Sequence, residues 1–530
     1  MKKNTSSFSA IYKKKACSFI NGEWNTGVSS LITRSPADMT VTMGEFTEAS
    51  KDELIRAARA ARDAFKKWSQ TPAPIRGGLI HQFGQLVQKN KESLAKVVAA
   101  EIGKPYREAL GSVQEVIDTC VFFASEGRRL YGQTIPSEMP QKELYTYRRP
   151  LGVFGCITAG NFPVAVPAWY FIPALLAGNT CVWKPSEDSL LTSYYFTELM
   201  HHAGIPKGVF NTIFGTGPTL GASMVSLIDE GYFDKIGFTG STEVGRHIGE
   251  VCGRNLQVPC LELGGKNPMI ICEDAQLDLA LEGVIFSGFG TAGQRCTSLG
   301  NLIIHEKIYD TFVQQLIERA KEVKIGHPMD PQITYGPLIS EKFLNNHLQD
   351  IRSMILPHHN LPLGQGGRIG HGVEWKHFYG DAMNGIYAKP TIVLNVTEND
   401  KIYSTETFGP IFNVLKFRDL TEALALANGT GYGLSSSIYT NNPNYVFRFK
   451  NEISAGMSSI NNSTTGAEAH LPFGGNGKSG NGSRQSGIWV LDAFTKWHAI
   501  NWDMSGHLQL AQMDTAYIES NEQFLIKLDS

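Results

Sequence analysis

The chain has 530 residues, of which 42% are hydrophobic and 18% are charged, and its formal net charge is −2. This composition is typical of a globular protein of two to four domains, and the small net charge argues against binding to nucleic acid or to an anionic membrane surface. No run of about 18 apolar residues predicts a membrane span, and the lysine-rich residues 1–15 lack the apolar stretch of a signal peptide.

Helices are predicted in the first part of the chain, over residues 51–132. The segment that opens this part has apolar residues at helical spacing, and we interpret it as a surface helix packed on a core. Those residues are Leu54, Ala57, Ala58, Ala61 and Phe65.

An alternation of strands and helices begins at residue 151. Each candidate strand precedes a helical segment, which predicts βαβ units and a parallel sheet. The candidate strands are Val153–Thr158, Thr180–Lys184, Phe210–Phe214 and Lys235–Phe238. A second run begins at the candidate strand Asn267–Cys272, and the helix after it has an apolar face made of Leu277, Leu281, Val284, Ile285 and Gly288. Two successive α/β units predict a cleft between them.

Two segments outside these units, 142–150 and 494–502, are rich in aromatic and β-branched residues and are predicted to be strands. We expect them to pair with each other or with another subunit. Residues 357–385, rich in glycine and histidine, are predicted to be a surface insertion. Its histidines, at positions 358, 359, 371 and 377, lack the spacing of metal ligands, so solvated loop residues are the favoured interpretation.

The stretch GTAGQRCTS, residues 290–298, places Cys296 next to Arg295 at the end of a glycine-rich run. A nearby positive charge favours the thiolate, which is the form that attacks carbon. A nucleophile, a disulfide partner and a buried thiol are the three interpretations to separate. The eight cysteines are scattered without C-x-x-C spacing, which argues against disulfides and zinc and favours a reducing cytoplasm.

Two polar residues next to predicted strands are candidates for the same chemistry. Glu262, in LELGGKNP, has a leucine on each side, and a carboxylate in an apolar setting can act as a general base on water. Asn161, in ITAGNFPVAVPAWY, can present its side-chain amide to a bound carbonyl as part of an oxyanion hole. The alternatives are a buried structural glutamate and an asparagine that caps the following helix.

Two loops have features of a nucleotide site. In VWKPSEDS, Lys184 and Glu187 follow a strand end, where α/β sheets bind nucleotides, and both can hydrogen-bond an adenosine ribose. The carboxylate would repel a 2′-phosphate, which favours NAD over NADP. In GFTGSTEVG, a glycine turn with Ser241 and Thr242 opens a helix and can hold a pyrophosphate. This turn is not the G-x-G-x-x-G fingerprint.

Taken together and in order, these motifs resemble the aldehyde dehydrogenase superfamily. The resemblance covers about residues 19–502, and its seven motifs are NFP, KPSE, FTGS, ELGGKNP, GQRCT, ETFGP (406–410) and PFGG (472–475). It implies an α/β fold, with a Rossmann-like NAD-binding domain, an α/β catalytic domain and a small β oligomerisation arm. It also favours the nucleophile among the interpretations of Cys296.

The resemblance implies a role for each site residue. Cys296, Glu262 and Asn161 are the implied nucleophile, base and oxyanion donor, and no metal is implied. The implied cofactor-binding residues are Thr158, Lys184, Ser186, Glu187, Gly217, Gly240, Ser241, Glu406 and Phe408. The implied substrate-binding residues are Phe162, Val166, Trp169, Arg295, Thr297, Ser463, Gly466, Ala467 and Phe473.

The domain boundaries follow from the same resemblance. Residues 1–140 are the helical part of the NAD-binding domain, 141–150 the arm, 151–261 the Rossmann-like domain, 262–478 the catalytic domain, and 479–530 the oligomerisation strand and tail. Three residues depart from the family pattern. Gly160 replaces the usual Trp, which is expected to widen the pocket. The tail motif SGNGSRQSG has an extra Ser483, and Gln485 replaces a Glu, which argues against a proton relay there.

The implied reaction is the NAD-dependent oxidation of an aldehyde to a carboxylate through a thiohemiacetal and a thioester on Cys296. We expect a semialdehyde, such as 2-oxoglutarate semialdehyde or 2-aminoadipate semialdehyde, because residues 463–467 offer hydroxyl and backbone N–H groups to a distant carboxylate. Glu468 beside this anchor, and the lack of an arginine placed by a motif, argue against it.

Three alternative functions stay open. The first is a general aliphatic or aromatic aldehyde dehydrogenase. The second is a coenzyme A-acylating semialdehyde dehydrogenase, a branch whose members typically lack the glutamate base. The third is a catalytically silent homologue with a structural role. In each case we expect a cytoplasmic homodimer or homotetramer with no nucleic-acid or membrane partner.

Overall fold

The structure is a computed structural model that describes residues 15–25, 30–355, 377–381, 383–514 and 520–528. Most of the insertion predicted over 357–385 lies outside the described residues, and so do His358, His359, His371 and the lysine-rich segment 1–14. His377 is described, and its Nε2 lies 3.1 Å from Glu322 Oε2. Among the described residues, no helix is long and apolar enough to cross a membrane.

Strands precede the helices in the first part of the chain. Ser30–Ser35 and Asp38–Thr47 form an antiparallel pair, and Lys15–Ala16 adds to its edge. The helical part therefore occupies a shorter range than 1–140 or 51–132. Its helices are Lys51–Trp68, Ala73–Lys89, Lys91–Ile102 and Tyr106–Glu126.

The first of these helices begins at a capping box, in which Ser50 and Glu53 bond each other's backbone N–H groups. Its predicted apolar face is buried at Leu54, Ala57, Ala58 and Ala61, whereas Phe65 is only half-buried. Trp68 fills the core one turn later instead.

A seven-stranded sheet contains the first predicted run of βαβ units. Its strands are parallel apart from an N-terminal hairpin at one edge, and the core strands are buried along their length, as both faces of such a sheet are covered by helices. In spatial order the strands are Cys260–Glu262, Lys235–Thr239, Val153–Ile157, Thr180–Lys184, Phe210–Thr212, Phe19–Ile20 and Glu23–Trp24. The helices between them are Ala165–Ala177, Leu190–His202, Ala222–Asp229 and Thr242–Arg254.

A six-stranded parallel sheet contains the second run, which confirms the α/β fold class. In spatial order its strands are Thr391–Val393, Ile411–Phe417, Leu299–His305, Asn267–Ile271, Ser435–Tyr439 and Met457–Ile460. Its helices are Leu277–Phe289, Tyr309–Lys321, Glu341–Asp350, Leu420–Asn428 and Pro443–Glu452. On the first of them Leu281, Val284 and Gly288 are buried, as predicted, and Leu277 and Ile285 are partly buried.

The two strands predicted outside these sheets pair with each other. Lys142–Pro150 and Thr495–Asp503 are antiparallel along their whole length, and Gln133–Ile135 completes a three-stranded arm. The short helix Val490–Phe494 leads into the arm. The remaining short strands are the pairs Ile325–Gly326 with Phe378–Tyr379 and Tyr432–Gly433 with Asn476–Gly477. The remaining short helical turns are Gly217–Gly221, Gly290–Gly293, Lys401–Ser404 and Ile351–Ile355.

The candidate site lies where the two large sheets meet. Glu262 ends the edge strand of the seven-stranded sheet, and residues 263–266 connect it directly to the strand Asn267–Ile271 of the six-stranded sheet. Cys296 lies just before the neighbouring strand Leu299–His305. The carboxyl ends of one sheet and the amino ends of the other therefore face a common region.

Candidate active site

A cavity of about 660 Å³ opens in front of Cys296. Its wall combines aromatic rings with an unusual number of charged groups. Trp169 and Phe473 pack with ring centroids 4.6 Å apart on the apolar side. The residues that line the cavity include Lys104, Glu108, Glu115, Phe162, Val166, Trp169, Phe286, Arg295, Cys296, Thr297, Thr465, Gly466, Ala467 and Phe473.

The loop that carries Cys296 is fixed by side chains from distant parts of the chain. The amide of Asn267 donates to the carbonyls of Cys296 and Ser298, at 2.8 and 2.7 Å. The hydroxyl of Thr464 donates to the carbonyl of Thr297 at 2.7 Å. Gly265 passes so close that a Cβ there would lie 2.5 Å from the Cys296 carbonyl oxygen, which explains a glycine at this position.

Burial governs the thiol of Cys296. It raises the pKa of Cys296 to about 12, and the neighbouring Glu262 and Glu406 carboxylates act in the same direction. The expectation that Arg295 favours the thiolate is wrong, because its guanidinium forms an ion pair with Glu108. Cys296 and Cys17 are half-buried, the other six cysteines are buried, and all eight are free thiols.

Asn161 reaches the nucleophile loop from the end of the strand Val153–Ile157. Its side chain is buried, and Nδ2 donates to the carbonyl of Gln294 at 3.0 Å. The alternative role as a helix cap is wrong, because the helix Ala165–Ala177 has Val164 at its N-cap and no side-chain capping bond. The amide therefore lies against the loop two residues before Cys296.

Glu262 is buried without a compensating bond. Within the described residues neither carboxylate oxygen has a hydrogen-bond partner. Burial raises the pKa of Glu262 well above its usual range, and the positive charge of Arg484 and the nearby backbone N–H of Gly475 oppose this shift only in part. A buried carboxylate that the protein holds this weakly is suited to exchange protons with a water molecule.

The predicted adenosine site is formed at adjacent strand ends. Lys184 is buried, and its Nζ lies 3.2 Å from Glu187 Oε2. Thr158 follows the neighbouring strand, and its hydroxyl accepts a hydrogen bond from Trp183 Nε1 at 2.9 Å. Ser186 is buried in the same loop, and the side of Gly217 is open, with no atom within 4 Å of a Cβ built there.

The predicted pyrophosphate turn is also in place. Ser241 is the N-cap of the 13-residue helix Thr242–Arg254, and its hydroxyl accepts from the Val244 N–H at 3.4 Å. Gly240 lies directly before it, at the end of the strand Lys235–Thr239. A helix N-terminus preceded by a small turn is a general anion site. These residues fit a dinucleotide pyrophosphate.

Glu406 and Phe408 lie on the catalytic side of the cleft. Glu406 accepts the Gly265 N–H at 2.9 Å, and a Cβ on Gly264 would lie 1.9 Å from its other oxygen, so only glycine leaves room for the carboxylate. Burial raises the pKa of Glu406 to about 7. Phe408 has a φ of +33°, a rare conformation for a non-glycine residue. The predicted cofactor residues Thr158, Lys184 and Gly240 thus lie at the ends of neighbouring strands of the seven-stranded sheet, and Glu406 contacts the connection between the two large sheets.

The predicted substrate residues lie around the cavity with one exception. Ser463 does not line it, because its hydroxyl donates to the Thr465 carbonyl at 2.8 Å. Glu468 is exposed and lies 3.1 Å from His470 Nε2, so it does not face the proposed anchor. A side chain on Gly160 would meet Ser186 and Asp188, not the cavity. The expectation that Gly160 widens the aldehyde pocket is therefore wrong.

The sequence analysis missed the charged wall of the cavity. This wall is formed by Lys104, two residues before the helix Tyr106–Glu126, and by Glu108 and Glu115 on that helix. Lys104 is buried, with its Nζ 3.3 Å from the centroid of the Phe162 ring. The helical spacing of the two glutamates, seven residues apart, was the available signal that they share a face of the helix.

Comparison with known proteins agrees with this geometry. Residues 24–500 match the family described as "Aldehyde dehydrogenase family". The chain is 36% identical to "Alpha-ketoglutarate semialdehyde dehydrogenase" of Haloferax volcanii, over 90% of this chain and 97% of that protein. It is 34% identical to "Aldehyde dehydrogenase family 7 member A1" of Pisum sativum, over 93% and 95%. The crystal structure of betaine aldehyde dehydrogenase from Staphylococcus aureus with NAD+ aligns with a TM-score of 0.87, at 30% identity over 93% and 95% of the two chains.

Proposed function

Because the chain belongs to the aldehyde dehydrogenase family and is therefore a nicotinamide-dependent aldehyde oxidoreductase, we propose that it oxidises a semialdehyde to a carboxylate with NAD. The observation that carries the proposal is the convergence of three groups at the loop of Cys296. Cys296 lies in its wall, the Asn161 amide is bonded to the loop of Cys296, and Glu262 is close enough to raise the pKa of the thiol.

In this proposal Cys296 is the nucleophile. Its thiolate adds to the aldehyde carbon, and the negative charge that develops on the oxygen is held by the Asn161 amide and the Cys296 backbone N–H. Because Asn267 and Thr464 bind the carbonyls of Cys296 and Thr297, the backbone at Cys296 has a defined direction. The loss of hydride from the adduct leaves a thioester on the sulfur.

Glu262 is the proposed general base for the second half of the reaction. It takes a proton from water, which attacks the thioester and releases the carboxylate. A raised pKa suits this role, because a base that holds its proton more tightly is a stronger base once ionised. Its lack of protein hydrogen bonds among the described residues leaves both oxygens available to water.

We propose NAD as the cofactor, and bound NAD supplies the hydride acceptor. Lys184 and Glu187 would hold the adenosine ribose, Ser241 and Gly240 the pyrophosphate, and Glu406 the nicotinamide ribose. Glu187 favours NAD because its carboxylate would repel the 2′-phosphate of NADP. The NAD+ in the related betaine aldehyde dehydrogenase supports the same choice.

The charged wall of the cavity supports a semialdehyde with a charged end. Lys104 is a cation of this wall that can hold a carboxylate, whereas the guanidinium of Arg295 is already paired with Glu108. One oxygen of the half-buried Glu115 is itself buried and lacks a hydrogen-bond partner of normal geometry among the described residues, and an ammonium group could supply one. The wall therefore suits 2-oxoglutarate semialdehyde through Lys104, and 2-aminoadipate semialdehyde through Lys104 and Glu115.

A panel of aldehydes tests the proposal. Steady-state NADH formation is measured with 2-oxoglutarate semialdehyde, 2-aminoadipate semialdehyde, hexanal and benzaldehyde, each with and without coenzyme A. We expect turnover without coenzyme A, and a semialdehyde kcat/KM above that of hexanal by more than about tenfold, or about 1.4 kcal/mol of transition-state binding. Preference for hexanal would favour a general aldehyde dehydrogenase, coenzyme A dependence the acylating branch, and no turnover the silent homologue.

We further propose that the protein acts in the cytoplasm as a homodimer or homotetramer. Eight free thiols support a reducing compartment. The arm supports assembly, since its outer strand Gln133–Ile135 is exposed and Trp497 and Trp502 expose more than half of their side chains. The proposed division into a cofactor part, 151–261, and a catalytic part, 262–478, follows the two large sheets. Sedimentation at several protein concentrations would distinguish a dimer from a tetramer.

A further inference from the structure

We infer that Glu108 is a positioning residue for the nucleophile, clamping the loop that carries Cys296 from the opposite wall of the cavity. The inference rests on the proposed role of Cys296. Glu108 belongs to the helix Tyr106–Glu126, and the loop it holds lies more than 180 residues further along the chain.

One carboxylate binds both ends of a short loop. Glu108 Oε1 accepts the backbone N–H of Thr291 at 3.2 Å, and Oε2 accepts the hydroxyl of the same residue. Oε2 also accepts a hydrogen bond from the guanidinium of Arg295. Arg295 Nε in turn donates to the Thr291 hydroxyl at 3.1 Å. Residues 291 and 295 are thereby closed into a ring, and Cys296 is the next residue.

The clamped loop has a strained backbone. Thr291 and Ala292 have φ values of +50° and +53°, in the left-handed region that residues other than glycine rarely adopt. For a β-branched residue such as Thr291 this conformation is especially unfavourable. Such strain persists where surrounding contacts impose it, and it concentrates at functional sites. Glu108 and Arg295 both bond directly to the strained Thr291, and Glu108 is the one of the two that comes from outside the loop.

Hydrogen bonds link the strained Thr291 to Asn161, and the chain itself links it to Cys296. The Gln294 amide donates to the Thr291 carbonyl at 3.1 Å, and the Gln294 carbonyl accepts from Asn161. If Thr291 relaxed to an ordinary φ, the Gln294 carbonyl would move, and with it the anchor of Asn161 and the backbone of Cys296. Glu108 therefore sets the position of the nucleophile relative to the oxyanion donor, without needing to touch the aldehyde.

Glu108→Gln tests the clamp. The variant keeps the side-chain volume but replaces one acceptor oxygen with an amide that cannot accept from Thr291 or Arg295. We expect the rate constant of the first NADH turnover with 2-oxoglutarate semialdehyde to fall about 100-fold, as for an ångström-scale displacement of a reacting group. The Kd for NAD should be unchanged. Glu126→Gln, on the same helix and paired with Arg129 outside the cavity, is the matched control and should match the wild type.

A second variant separates positioning from simple destabilisation. Thr291→Gly allows the left-handed conformation without a Cβ, so the loop depends less on its clamp. The double variant Glu108→Gln/Thr291→Gly should therefore be faster than Glu108→Gln alone by at least about tenfold. The inference is overturned if Glu108→Gln stays within twofold of the wild type. It is equally overturned if the burst amplitude falls while its rate constant does not, or if the double variant shows no recovery.

Alkylation keeps this result distinct from a failure of the proposed function. If the wild-type protein oxidises no aldehyde, the proposed function fails, but iodoacetamide still reports where the Cys296 thiol points. We expect Glu108→Gln to slow alkylation of Cys296 at least tenfold and Thr291→Gly to restore it in the double variant. Equal rates in the wild type and Glu108→Gln would show that the clamp does not position the thiol.

Discussion

The nucleophile loop and the Glu262 pocket lie side by side, yet they are built in opposite ways. Around Cys296 the loop is bonded by Glu108, Asn267 and Thr464. Glu262 is more deeply buried than Cys296, but its carboxylate has no hydrogen-bond partner of normal geometry among the described residues. Both groups have raised pKa values, and in both burial is the main cause.

The difference follows from what each group is proposed to do. A nucleophile must meet the aldehyde carbon at one distance and angle, and fixed backbone bonds reduce the cost of reaching that geometry. A general base must bind a proton, release it and accept a water molecule, so protein hydrogen bonds would compete with its function and lower its basicity. The site therefore combines a nucleophile loop fixed by many hydrogen bonds with a base that the protein leaves free to bind water.

The largest effect on activity is expected when the nucleophile in the fixed loop is removed. Cys296→Ala should abolish NADH formation, since the covalent adduct cannot form, while NAD binding stays near the wild-type Kd because the thiol does not hold the dinucleotide. Steady-state assays and titration of NAD measure the two quantities. Iodoacetamide should label Cys296 before the six cysteines that are fully buried, because access of the reagent limits their reaction. Rapid labelling elsewhere with Cys296 untouched would contradict the assignment.

Removing the base Glu262 should separate the two stages of the reaction, which are formation of the thioester and its hydrolysis. Glu262→Gln keeps the shape of the side chain but not its basicity. We expect one burst of NADH per site and a steady rate about 100- to 10,000-fold lower, the range for loss of a general base. Stopped-flow absorbance resolves burst and steady state. If both fall equally, Glu262 also serves Cys296, and if neither falls, it is structural.

The raised pKa values predict an alkaline pH profile. Cys296 and Glu262 act in their ionised forms, and both hold their protons above the usual range. Activity should therefore rise with pH, and where the thiolate fraction limits kcat/KM the slope is about tenfold per pH unit. Initial rates between pH 6.5 and 9.5 at constant ionic strength measure this slope. A profile that is flat across this range would show that cofactor or substrate binding restores ordinary pKa values.

Cofactor choice tests the far end of the cleft, where the effect should be smaller. Glu187→Ala removes the carboxylate that lies beside Lys184 and leaves that cation free to meet a 2′-phosphate. The ratio of kcat/KM for NAD to that for NADP should fall about tenfold, a typical loss for one charge-assisted contact. Asp229→Ala, which removes an exposed ion pair with Arg254, is a control and should leave the ratio unchanged. A wild-type preference for NADP would refute the proposed ribose contact.

Whether a feature could be predicted from the sequence depends on how far apart in the chain the interacting residues are. The parallel sheets, Cys296 and Glu262 could be predicted because strand periodicity and motifs are local in the chain. The role of Arg295 could not, because its partner Glu108 lies on a helix 187 residues earlier. Adjacency to Cys296 suggested that the guanidinium would favour the thiolate, whereas tertiary packing directs it to the opposite wall.

The same limit explains Gly160 and Glu115. Which way a side chain points at a loop position depends on backbone torsion angles that no local pattern determines. Gly160 adjoins Asn161, yet a side chain there would face Ser186 on the cofactor side. Glu115 lies in the middle of the helix Tyr106–Glu126 and lines the cavity only because that helix packs along it.

The smallest effect is expected at Ser463, where sequence and structure disagree about one hydroxyl. The sequence suggests that Ser463 anchors the distant carboxylate of a semialdehyde, but its hydroxyl is bonded to Thr465 and does not line the cavity. Ser463→Ala should cost about 1 kcal/mol of stability for the lost local bond. The kcat/KM for 2-oxoglutarate semialdehyde should stay within twofold of the wild type, because the charged wall is untouched. Glu115→Gln is the matched comparison: it should lower kcat/KM for 2-aminoadipate semialdehyde more than for the oxo acid, if that carboxyl binds an ammonium group. A tenfold loss in Ser463→Ala with both semialdehydes would move the anchor from the charged wall to the 463–467 loop.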